Sequence, residues 1–238
     1  MLRALAHPLS LLVLAGSFLI GVVLHGWVQS LVADRFGDRR PRLEGRIGID
    51  PKRHVDPFGT VAVLLSGIGW GKPVDLPVGL RRRTAQVFVA LSGPLVNLLL
   101  GVGTLLLWRA LFGPAGGSKG GPAAFVAATQ GPFLLLQQGI TLSVTALSTA
   151  VLLFGLVQLY LGALTLVPLP PLDGGNLLFA LGPRSPGWHK AQYQLVERNI
   201  GLVVLLVLLL IPIGGPIPLL PEVLDSILTP LVRVITGG

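Results

Sequence analysis

Apolar residues in this chain come in long blocks, and the breaks between blocks set the expected architecture. Residues 9–33 are almost uninterrupted and predict a first membrane span, since a hydrocarbon core about 30 Å thick takes roughly 20 helical residues. The run that begins "MLRALAHPLSLLVLAG" continues to Leu24 without a small-x-small cleavage site, so it reads as a span rather than a signal peptide. Charge, Gly and Pro then return between Asp34 and Asp56. Inside that stretch "GRIGIDPKRHVDP" alternates apolar and polar positions and predicts a small strand or hairpin near 45–56. Residues 58–71, "FGTVAVLLSGIGWG", are apolar but too short to cross, and rich in Gly. They predict a re-entrant segment, which is stable at membrane depth only against other protein.

Residues 84–112 predict a second span and 113–122 a Gly-rich linker. Residues 123–139 are broken by Gly131, Pro132 and Gly139 and predict an interfacial or partly inserted segment. Residues 141–167 predict a third span that ends at "VPLPPLDGGN". A polar surface segment (183–198) follows. Two apolar stretches, 199–212 and 222–236, are separated by "GGPIPLLP" and predict a helical hairpin in the membrane. The chain thus divides into a core, 1–182, and a C-terminal unit, 183–238. The fold class is an all-α polytopic membrane protein, with a re-entrant segment and a small β element.

Composition agrees with this pattern. The chain has 238 residues, 52% hydrophobic and only 12% charged, with a mean hydropathy of +0.78. A soluble domain carries about 25% charged residues. Cysteine is absent, which excludes disulfides, a thiol nucleophile and cysteine-ligated metal. The net charge of +8 does not point to nucleic acid. Its cations cluster beside the apolar blocks, as membrane topology and anionic headgroups require, so membrane lipids are the expected partners. One face is expected to carry 15 of the 18 Lys and Arg, and Arg3, Arg109 and Lys119 the other. The positive-inside rule then places residues 34–56, 184–198 and the C-terminus in the cytoplasm. A full crossing by 58–71 would split the basic loops between the two sides.

The chemistry starts at "VVLHGWVQSLVADRFGD", residues 22–38. His25 and Gln29 stand at i and i+4 on one helical face, with Gly26 between them. Far along the chain, Asp173 sits in the Pro- and Gly-broken "PLPPLDGG" at the same expected depth. Polar groups at that depth are costly and mark a site. The plain alternatives are a structural His25–Asp173 pair and turn chemistry in "LDGG". Glu44, Asp50 and Asp56 read as solvated or paired, Gly101 and Gly103 as packing contacts, and Gln158 and Tyr160 as bonded within the bundle.

Five stretches together resemble the site-2 protease family of intramembrane zinc metalloproteases in its compact bacterial form. "LHGWVQSLVADRFGD" resembles the family's L-H-E-x-x-H helix. "GRIGIDPKRHVDPFGT", "GWGKPV", "ALSGPLVNLLLG" and "LVPLPPLDGGN" resemble its later motifs in the family's order. The resemblance covers roughly residues 18–236 and implies a three-helix metalloprotease-like core in a bacterial inner membrane. In that family two histidines and an aspartate hold zinc, and a glutamate is the general base. Hydrolytic zinc takes three protein ligands and one open water position. It brings that water's pKa toward neutrality.

Here His25 and Asp173 match the first and third ligands, but Gln29 replaces the second histidine and Gly26 replaces the base. Thr165 and Asn176 replace an asparagine and an arginine. An amide oxygen is a weak zinc donor beside imidazole, and a missing base alone forfeits about 10²–10⁴ in rate. No catalytic residue is therefore assigned. The expected reading is a pseudoprotease without a cofactor, which binds a transmembrane partner or serves a larger membrane complex. The alternative is an active intramembrane protease that holds zinc with substitute residues, among them His54, whose family counterpart is not a ligand. A channel would need a polar lining, for which His25, Asn97 and Asp173 are few.

Overall fold

A computed structural model describes residues 8–74, 83–114, 131–133, 147–183, 185–213 and 215–237. Three of its helices are long and apolar enough to cross a membrane: α1 (Pro8–Arg35), α4 (Arg83–Phe112) and α5 (Leu147–Thr165). They match the three expected spans. The first residues of the third, 141–146, lie outside the described residues, as do most of 115–139.

Helix α4 runs opposite to α5. The Trp108 indole, near the end of α4, donates to the Ser148 carbonyl at the start of α5 at 2.9 Å. The two helices pack tightly because Gly101 and Gly162 let the backbones approach. A Cβ on Gly101 would lie 2.6 Å from the Leu159 nitrogen. Gly103 differs: nothing lies within 4 Å of its would-be Cβ, so it is not the packing contact expected of it. Gln158 donates to the Ser17 carbonyl at 2.7 Å and ties α5 to α1.

Between α1 and α4 lie a short helix, α2 (Arg40–Leu43), a 3₁₀ turn at Pro51–Arg53, and α3 (Pro57–Ser66). Asp56 caps α3 through the Gly59 N–H at 2.7 Å, and Gly67 ends it at φ +88°. Ten residues make a helix of about 15 Å, half of the hydrocarbon thickness. The chain then turns back until Gly71 pairs with Val55. This out-and-back course has the form that a re-entrant segment requires. The expected small strand or hairpin at 45–56 is not formed among the described residues. Pro51 and the Asp50 cap impose a 3₁₀ turn, and one antiparallel bridge is all that remains.

After α5 come α6 (Asp173–Leu181), α7 (Pro186–Leu195), α8 (Ile200–Leu210) and α9 (Leu219–Thr236). Helix α7 buries no residue, as a surface segment requires. Helix α8 packs against α3.

The C-terminal course departs from a hairpin. A Cβ on Gly201, at the start of α8, would lie 2.8 Å from the Pro170 oxygen, near the end of α5. Arg109, near the far end of α4, donates to the Val234 and Ile235 carbonyls at the end of α9. Together α8 and α9 thus start at one end of the bundle and finish at the other, where a hairpin would return. The expectation that Arg109 and the C-terminus lie on opposite faces is overturned by the same contact. Unpaired carbonyls at a helix C-terminus attract a guanidinium, and Arg109 meets that need.

Candidate functional site

Four side chains from three elements meet inside the bundle. Helix α1 supplies His25 and Gln29, one turn apart on one face. The break after α5 supplies Asp173, the first residue of α6. Pro168, Pro170 and Pro171 keep the chain from continuing α5 as helix. Helix α4 supplies Asn97. All four are buried, with Asn97 at 0% and Gln29 at 1% exposure.

The Asp173 carboxylate organises the group. Its Oδ2 lies 2.8 Å from His25 Nε2, and its Oδ1 accepts from Gln29 Nε2 at 2.5 Å. On the other side of the ring, His25 Nδ1 lies 3.4 Å from Asn97 Nδ2. Gly93 makes this possible: a Cβ there would collide with the His25 ring. The His25–Asp173 pair is what the sequence offered as the structural alternative to a metal site, and the two residues are indeed in contact.

His54 reaches the same region from the 3₁₀ turn. It is 0% exposed, and its Nε2 lies 3.0 Å from the Gly48 oxygen. Its Nδ1 would lie 2.6 Å from a Cβ on Gly26 and has no hydrogen-bond partner. The imidazole thus packs where the side chain of residue 26 would begin. Burial pushes its pKa below the ordinary 6.5. The Gly48 carbonyl opposes that shift, and the nearby Arg46 charge adds to it.

Thr165 does not join the group; its hydroxyl bonds back to the Leu161 and Gly162 carbonyls of its own helix. Arg46, which sequence reasoning did not single out, is 3% exposed and donates to the Lys72 and Pro73 carbonyls at 2.7 and 2.9 Å. It pins the return of the re-entrant segment. Its place in "GRIG", within the expected strand or hairpin, was the available signal. Asp225 was also missed: it accepts from the Phe133 N–H at 3.1 Å.

The profile of peptidase family M50 matches residues 15–210. The chain belongs to this family. The M50 profile spans α1 through α8, including every residue of the buried group. The chain is 32% identical over 239 residues to "Putative zinc metalloprotease YwhC" of Bacillus subtilis, covering 95% of this chain and 94% of that one. It is 31% identical to "Putative zinc metalloprotease Rip2" of Mycobacterium tuberculosis, over 84% of this chain and 67% of that one. A Rip2 of Mycolicibacterium smegmatis is 29% identical over 85% of this chain and 68% of its own length. No solved structure matches.

The zinc implied by the M50 family does not fit the residues present. Among the described residues no three His, Cys, Asp or Glu side chains converge as a metal set. The candidate donors are one imidazole, one carboxylate and one amide. That amide presents its N–H to Asp173, and its oxygen has no hydrogen-bond partner. A ligating amide would present its oxygen to the ion.

Proposed function

We propose that this M50 member is a pseudoprotease: a non-catalytic subunit that keeps the intramembrane scaffold and binds a transmembrane partner or a larger membrane complex. One observation carries the reading. The two family positions that hold the second ligand and the base carry an amide bonded to the Asp173 carboxylate and a glycine packed under His54. Without a base or a third good donor, nothing in this group activates water. The basic end of the bundle faces the cytoplasm on this reading, and the α9 terminus lies at the opposite end beside Arg109.

The deciding measurement is zinc per chain, in protein purified without chelator or added metal. A Gly26→Glu/Gln29→His variant serves as comparison. Little zinc in the native chain and near-stoichiometric zinc in the variant support the proposal. Stoichiometric zinc in the native chain overturns it.

A second reading has one observation in its favour. The unpartnered Nδ1 of His54 lies beside Gly26, where an imidazole would stand in for the lost base. An active protease with substitute ligands requires zinc in the native chain and cleavage of a transmembrane substrate that ends with His54→Ala.

A further inference from the structure

We infer that Gln29 is a working replacement for the metal: its amide supplies the cross-link that an ion would make between α1 and α6, so the fold closes metal-free. This rests on the metal-free reading above and deepens it.

The argument starts from Asp173. A carboxylate 4% exposed inside an apolar bundle needs compensation on both oxygens. In a metal site, the cation compensates it and holds the imidazole at the same time. Here each oxygen has its own donor, and both donors come from α1: Oδ2 pairs with His25 and Oδ1 with Gln29. Residue 29 is the ligand position that differs from the family, and its carboxamide does this without an ion. Histidine in its place would bring a second imidazole toward a carboxylate already paired with the first. Leucine would leave Oδ1 unpaired. The carboxamide supplies N–H groups without adding charge.

What the link holds is specific. Asp173 opens α6 at the end of a proline-rich turn, whose backbone has few donors of its own. Gly174 and Gly175 pack on the backbone at Leu166 and Pro170. The turn is therefore fixed to α1 by two side-chain bonds 148 and 144 residues apart in sequence. Gln29 is a positioning residue: it sets the carboxylate, and through it the turn. A simple loss of function at residue 29 would leave no such directed contact.

The test uses the full chain in detergent, with thermal unfolding followed in chelator and in added zinc, and zinc counted in each sample. The native chain is expected to unfold at one temperature in both. Gln29→Leu is expected several degrees lower in both. Gln29→His is expected lower in chelator and recovered by zinc. A double-mutant cycle separates the link from packing: in an Asp173→Asn background, Gln29→Leu should lose most of its effect. Should Gln29→Leu match the native chain, or should the cycle be additive, the inference fails while the zinc-free reading stands. Native protein that carries zinc and unfolds early in chelator removes both.

Discussion

Gly26 and His54 give the sharpest numerical test of this site. Adding one methyl group at residue 26 places a Cβ 2.6 Å from His54 Nδ1, while ordinary contact begins near 3.4 Å. The ring must move by about 0.8 Å, against its bond to Gly48 and its complete burial. Overpacking of this kind costs about 1–3 kcal/mol. The same substitution removes a helix-interior glycine, which favours the folded state by about 1 kcal/mol. Gly26→Ala alone is therefore expected to destabilise by roughly 1 kcal/mol. In a His54→Ala background the clash is gone, and the same change is expected to stabilise by about 1 kcal/mol. The coupling of about 2 kcal/mol corresponds to about 4–8 °C in unfolding temperature for a chain of this size. The assay is a thermal-unfolding cycle on four proteins in one detergent. The same sign for Gly26→Ala in both backgrounds would refute the reasoning, because it would mean that the ring does not own that space.

Three further outcomes follow from named contacts. Gly101→Ala drives a Cβ into the backbone of α5 and is expected to cost about 1–3 kcal/mol, whereas Gly103→Ala meets nothing within 4 Å and is expected to be neutral or stabilising; unfolding temperatures of the pair check this. Arg46→Met removes two donors to the Lys72 and Pro73 carbonyls and is expected to raise hydrogen exchange or proteolytic nicking near residues 72–74, with α4 and α5 unaffected. His54 has a depressed pKa, so below about pH 6.5 the unfolded chain takes up its proton more readily than the folded one. Its contribution to stability is complete above that pH and falls as the pH drops toward the folded value; His54→Gln should flatten that limb of a stability–pH curve.

The spans were legible because bilayer thickness converts directly into run length, and no tertiary detail is needed to see 28 or 30 helical residues. That residues 58–71 hold no full-length span was legible for the same reason in reverse. The strand near 45–56 misled because period-2 alternation over so few residues is weak, and Pro51 with its Asp50 cap overrode it. The C-terminal course was hidden because charge counting assigns Arg109 by its loop, while a guanidinium also seeks helix-terminal carbonyls. At the site, His25, Asn97 and Asp173 followed from the cost of polar groups in apolar surroundings. The Gln29–Asp173 bond did not, since spacing shows which residues share a face and not which atom each presents. The difference between Gly101 and Gly103 likewise depends on helix rotation, which the weak amphipathicity of an apolar helix leaves undefined.

The short helix α3 has a consequence for synthesis. Its shelter includes α8, which begins at Ile200, while α3 ends at Ser66, an interval of 134 residues (200 − 66). At about 5–20 residues per second, the ribosome takes on the order of ten seconds to close that gap. During that time a half-length helix, with Phe58, Val61, Leu64 and Leu65 about half exposed even in the finished fold, has no completed partner surface. Its early hold is local: Arg46 bonds to the Lys72 and Pro73 carbonyls, Val55 pairs with Gly71, and the Trp27 indole of α1 donates to the Ile47 carbonyl. The residues from Ile200 on thus act late: the helix that packs on α3 is made only after the spans α1, α4 and α5 are complete.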